Sequence, residues 1–178
     1  MMPVRTIGLS LLLTSCLCSL PSARAQVIPP EAGEALIARG NRPITIKVDP
    51  KTVGATQFVA GTEVLPSGVI FNTHRHPNQE ELLIVQHGKL RIGVGDAQPR
   101  DADAGAFVFI PKNTWVTLEN TSGEAAGFIF IFPQTGIEEF FRKTSQKAGE
   151  PFTLTPEQRA AARKEHEHDI EFRDPPPR

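Results

Sequence analysis

The chain has 178 residues, with 19 Lys and Arg against 20 Asp and Glu and a formal charge of −1 at neutral pH. That length is one domain's worth, and a near-balanced charge without a basic patch excludes nucleic acid as the expected partner. Both cysteines, Cys16 and Cys18, fall near the start, which excludes disulfides, a Cys nucleophile and Cys-ligated zinc from the rest of the chain.

Residues 1–25 carry Arg5, an apolar run from Ile7 to Leu20, and then Ala23-Arg24-Ala25, a small-x-small cleavage site. This is the pattern of a secretory signal peptide, and the run is too short for a transmembrane span. The expected location is therefore periplasmic or secreted. "LTSC", Leu13 to Cys16, loosely fits a lipoprotein box acylated at Cys16; Ser before the Cys and apolar residues after it make that the weaker reading. Cleavage after Ala25 would leave 17 basic and 20 acidic residues, a charge of −3. The remaining chain of about 150 residues is long enough to bury a core.

Residues 26–43 read as a polar N-terminal arm with one helical turn around "EAGEALIARG". From Ile44 the pattern is that of short strands: 44–48, 56–60, 62–66, 81–86, 89–94, 106–110, 115–120 and 127–132. They are β-branched or aromatic and punctuated by Gly, Pro and Asp, which is the signature of a sandwich or barrel. His87-Gly88 reads as a tight hairpin between two of them. "FVFI" and "FIFIF" are apolar on both faces and are expected deep inside. Residues 134–178 read as C-terminal helices and a polar tail. "GIEEFFRKTSQ" has helical spacing of Ile137, Phe140 and Phe141, and 154–172 begins with Thr155 as N-cap and Pro156 at the first helical position. "RDPPPR" is an extended end.

One stretch carries chemistry, "GVIFNTHRHPNQEELLIVQHGKL". On a strand, His74 and His76 point to one face, about 6–7 Å apart. Pro77 breaks that strand, and the next begins at Glu81, which can fold back alongside. Glu81, Leu83 and Val85 share a face, so a core-facing Leu83 and Val85 turn Glu81 inward, where an acid needs a partner. Two neutral imidazoles and a carboxylate match the ligand set of non-haem Fe(II) sites and also suit Mn, Zn, Ni or Cu, one divalent ion in all.

Other candidates have blander readings. Glu80 is a solvated edge acid, His87 an exposed turn residue, and Gln86 and Arg91 are surface residues. His166 and His168 fall on different faces of a helix and read as solvated surface. Trp115 reads as a buried strand aromatic that could also line a pocket. Phe128, Phe130 and Phe132 fill the interior, while Phe140 and Phe141 pack a helix on the barrel or cover a partner subunit.

These residues resemble the cupin superfamily. Gly68, His74, His76, Glu81 and Gly88 fit its first motif, G-x5-H-x-H-x(3,4)-E-x6-G, at every fixed position. The second motif, G-x5-P-x-G-x2-H-x3-N, is met at Gly105, Pro111 and Asn120, but Asn113 stands for the Gly and Val116 for the His that would be a fourth ligand. The motifs and their strands cover about 44–133. The resemblance implies an all-β, small jelly-roll β-barrel with a metal ion in its mouth, held by His74, His76 and Glu81. It also implies a small-molecule ligand or substrate, and a homodimer. An enzyme of this kind would be a dioxygenase-like oxidoreductase or an isomerase. No residue stands out as a general base, so no catalytic residue is assigned, and a non-catalytic periplasmic binding or sensing module, with or without metal, stays open.

Overall fold

Strand-forming segments alternate inward and outward along nearly the whole of the computed structural model, which describes residues 23–173. Cys16 and all but the last three residues of the expected signal peptide lie outside the described residues, as does the Pro-rich end after Arg173.

Twelve strands form two antiparallel sheets among the described residues. In chain order they are β1 (Glu34–Ala38), β2 (Arg42–Val48), β3 (Val59–Leu65), β4 (Ile70–Arg75), β5 (Glu81–His87), β6 (Lys89–Val94), β7 (Arg100–Asp103), β8 (Phe107–Ile110), β9 (Val116–Glu119), β10 (Ala126–Phe132), β11 (Ser145–Lys147) and β12 (Glu171–Phe172). One sheet has the order β11-β1-β2-β3-β10-β5-β8 and the other β12-β4-β9-β6-β7. Three helices complete the fold: α1 (Pro50–Val53), α2 (Ile137–Thr144) and α3 (Pro156–Glu165). The architecture is all-β, an open cupin-type jelly roll rather than a closed barrel.

The two sheets share one apolar core. Central strand β10 supplies Phe128, Phe130 and Phe132, each at most 3% exposed, on the face that strand alternation turns inward. Each such side chain contributes roughly 1.5–3 kcal/mol of burial. Helix α2 closes the core, and its Phe141 packs against Phe130 and Phe132 at 5.3 and 6.4 Å between ring centroids. Helix α3 starts as its sequence dictates. The Thr155 hydroxyl accepts from the Gln158 amide, the Gln158 side chain accepts from the Thr155 amide, and Pro156 opens the first turn.

Four expectations fail, each for a physical reason. The turn around residues 31–40 is strand β1, because pairing with β2 and β11 outweighs local helical propensity. Segments 56–60 and 62–66 are the single strand β3, since Gly61 is tolerated where Phe130 lies close over the backbone. His87-Gly88 is no hairpin. β5 pairs with β8 and β10, whereas β6 pairs with β7 and β9, so the chain changes sheets at Gly88. Its φ of +73° and its closeness to Ala126, 2.8 Å from where a Cβ would stand, demand glycine there. "FVFI" is an edge strand with Phe107 69% and Phe109 57% exposed, so its double-sided hydrophobicity does not mark the interior. Strand β7, with the polar sequence RDAD, carried no hydrophobic signal.

Candidate metal centre

His74 comes from β4 and His76 from the residue just beyond it, where Pro77 ends the strand. Glu81 is the first residue of β5. These strands belong to different sheets, so Glu81 approaches the histidines across the interior rather than from alongside in one sheet. The alternation argument otherwise holds: Glu81, Leu83 and Val85 are all buried.

The three side chains converge. His74, His76 and Glu81 are 4%, 2% and 6% exposed, and each offers a donor atom within 4.8 Å of the others. Nδ1 of His74 lies 3.0 Å from the Asn72 carbonyl and Nδ1 of His76 lies 2.8 Å from that of Asp169. With each Nδ1–H donating to its carbonyl, the Nε2 lone pair is left for a cation, the arrangement usual for metal-binding imidazoles. His76 Nε2 and Glu81 Oε2 stand 3.4 Å apart without hydrogen-bond geometry, and neither has another partner. Each such buried orphan costs about 1–3 kcal/mol. Two imidazole nitrogens and a carboxylate oxygen, buried and turned to one point, fit a divalent cation.

Electrostatics separates the two imidazoles. Burial, helped by its neighbour His76, pulls His74 down to about 4. Burial would depress His76 too, but the Glu81 carboxylate and the Asp169 carbonyl outweigh it and raise this imidazole above its ordinary value. A cavity of about 20 Å³ lies against the three donors, room for roughly one ion or water.

Both departures from the second cupin motif have local explanations. Asn113 takes φ +61°, the left-handed conformation that Gly would supply and that Asn tolerates best among other residues. Its amide donates to the His76 carbonyl at 2.8 Å, so this turn still braces the site. Val116 pairs directly across from His74 and is fully buried, filling with methyl groups the place of a fourth imidazole.

Several supporting residues escaped the sequence reading. Glu63 faces inward from β3, 4% exposed, and lines the small cavity. Burial pushes its carboxyl upward, Arg42 draws it back, and Glu81 adds to the rise. Arg42 forms a close ion pair with Glu63 and lies 4.1 Å over the Phe71 ring. The alternation that turns Glu81 inward applies equally to Glu63, which shares its face with Val59 and Leu65. No local signal marks Asp169, Ile170 or Phe172, which reach the site from the far end of the chain. Phe71 and Phe172 lie 4.7 and 6.0 Å from the His74 ring.

The remaining candidates separate cleanly. Glu80, Gln86, His87 and Arg91 are exposed. His166 is buried, against expectation: α3 ends there, and its Nδ1 lies 3.0 Å from an Asp169 carboxylate oxygen. His168 stays exposed, its side chain 64% so. Trp115 is half-buried and neither core nor pocket lining. Its ring lies between the guanidiniums of Arg75 and Arg173 at 4.6 and 4.4 Å. No helix among the described residues is long and apolar enough to cross a membrane.

Comparison with known proteins agrees with this architecture. The chain is 33% identical over 82 residues to "Polyketide synthase CurC" of Streptomyces cyaneus and 31% identical over 81 residues to "Protein SchB" of Streptomyces halstedii. Each match takes in 46% of this chain, and they cover 52% and 58% of those proteins, so the chain spans little more than half the length of these curated relatives. Among solved structures, KdgF from Halomonas sp. aligns with a TM-score of 0.56 at 11% identity, covering 64% of this chain and 99% of that one. A predicted oxalate decarboxylase from Thermotoga maritima aligns with a TM-score of 0.54 at 16% identity, covering 61% and 99%. These likenesses carry the fold alone. Residues 61–132 match the cupin domain family, so this segment of the chain is similar to cupin domains.

Proposed function

We propose that the chain is an exported, metal-binding cupin that holds one divalent cation on His74, His76 and Glu81 and acts there on a small organic molecule. The observation that carries this reading is the convergence of three buried donors from two sheets, two of whose atoms lack a hydrogen-bond partner. A cation held there would act as a Lewis acid on a substrate oxygen. Glu63 supports catalysis of the oxidoreductase or isomerase type, because it places a second carboxyl group, paired with Arg42, in the same chamber. The name polyketide synthase borne by one Streptomyces relative makes β-diketones and phenols the first substrates to try. Export is supported by the apolar run and Ala-Arg-Ala site of residues 1–25. The exposed Phe107 and Phe109 on edge strand β8 support a homodimer.

The experiment is elemental analysis of the purified chain. About one divalent ion per chain is expected, lost in His74→Ala; protein that stays metal-free after growth in supplemented medium overturns the reading. A non-catalytic binding or sensing module is favoured by the small volume at the ligands, about 20 Å³. An iron-loaded anaerobic sample that consumes O2 with a diketone or phenol supports the enzyme. Ligand-induced thermal stabilisation without turnover supports the module.

A further inference from the structure

A second cavity, of about 300 Å³, adjoins the metal centre, within the usual size range of small-molecule sites. It lies between the β1–β2 turn, β4 and the two C-terminal helices, and it shares Glu63, Phe71 and Phe141 with the chamber at the histidines. Phe71 and Phe172 both line it, and both lie against the His74 ring. A single layer of rings therefore separates it from the proposed ligands.

Its lining is strongly one-signed. Four arginines, Arg39, Arg42, Arg159 and Arg163, and one acid, Glu63, line it; Glu63 pairs with Arg42, Arg159 donates to the Leu154 carbonyl, and Arg163 lies 4.3 Å over the Phe172 ring. The rest is largely aromatic and aliphatic, including Phe71, Phe140 and Phe172. Ser145 lies in the same wall, 7% exposed, and its hydroxyl has no hydrogen-bond partner. An orphaned buried hydroxyl is costly in a chamber that stays unfilled, and the arginines add positive charge beside its ring faces. Together they suit a planar apolar body with a negatively charged edge, since guanidinium forks match carboxylate geometry and also stack on rings.

We infer that this cavity binds an aromatic carboxylate, with the acid group among the arginines and the ring against the phenylalanines. Most of the residues that build it, Arg39, Arg42, Phe140, Arg159, Arg163 and Phe172, lie outside the matched cupin segment 61–132. That the bound molecule is the substrate rests on the metal-centre reading; that the cavity binds it does not.

The test titrates naphthalene-2-carboxylate, and its neutral amide, into chelator-treated protein by calorimetry. The carboxylate should bind at least ten-fold more tightly than the amide, and the preference should shrink as salt is added. Arg159→Gln with Arg163→Gln should abolish the preference for the carboxylate over the amide; Arg159→Gln alone, should the double variant unfold, should reduce it. Equal affinity for the two probes, binding of neither, or a preference untouched by the replacements overturns the inference. Carboxylate binding that requires added metal and vanishes in His74→Ala also overturns it, since the acid then sits on the metal. Metal-free protein that keeps the preference, with no ion ever bound, upholds the cavity and sinks the proposed function instead.

Discussion

Arg42 and Glu63 form a close ion pair in the wall between the two cavities, with side chains 16% and 5% exposed. Arg42→Ala would leave the Glu63 carboxyl buried near Glu81 without its cation. A carboxylate stranded in this way costs about 3–5 kcal/mol, unless it takes a proton. Protonation sets the ceiling. Neutralising a carboxyl with an ordinary value of 4.5 costs about 1.36 kcal/mol per pH unit, hence about 3 kcal/mol at pH 7 and less than about 1 at pH 5. Losing the guanidinium over Phe71, 4.1 Å from the ring centroid, adds roughly 0.5–1 kcal/mol at any pH. Burial already raises Glu63 above its unfolded value, so its contribution is fully present below about 4.5 and is lost as pH rises toward the folded value. Without Arg42 that folded value rises further, and the deficit of the variant therefore grows with pH. Denaturant unfolding in chelator should show Arg42→Ala losing up to about 4 kcal/mol at pH 7 but only about 1.5 at pH 5. Adding Glu63→Gln should recover most of the loss at pH 7. A deficit equal at both pH values, or no recovery with Glu63→Gln, would refute the reasoning.

Val116→His would set a fourth imidazole directly across from His74; calorimetric titration should show the cation bound at least ten-fold more tightly, and unchanged affinity would show that the position does not reach the ion. Because His74 resists protonation down to about 4 while His76 takes a proton above the ordinary 6.5, the proton that competes with the cation sits on His76. Uptake by metal-depleted protein should weaken as pH falls through a region above the ordinary imidazole value of 6.5, with proton release on binding; a midpoint near pH 4 would assign the competing proton to His74. Ending the chain after Glu165 removes the Asp169 carbonyl from His76 and Phe172 from His74. Cation affinity should drop by about 10–100-fold, with circular dichroism still showing the sheets; full affinity in that truncation would show that the tail does not orient the ligands.

The candidate ligands were legible in the sequence because everything needed to place them is local. His74, His76 and Glu81 fall within eight residues, Pro77 marks the break between them, and strand alternation decides which way each points. Partnership between strands has no such local mark. Two strands either side of His87-Gly88 look like a hairpin whether they pair with each other or, as here, with different sheets. The edge strand "FVFI" and the central strand "FIFIF" differ in neighbours, not in composition. The same distinction runs through the site. The carbonyl that orients His76 lies 93 residues away at Asp169, and Arg42, Arg159 and Phe172 meet around one cavity only because β2, α3 and β12 fold onto β4 and its neighbours. The motif therefore dictates which donors can face a cation, whereas segments outside it shape and charge the neighbouring cavity. A chain could keep Gly68 to Gly88 unchanged and still take a different ligand if Arg159, Arg163 and Phe172 were altered, because none of these three lines the chamber at the histidines, yet all three line the cavity beside it.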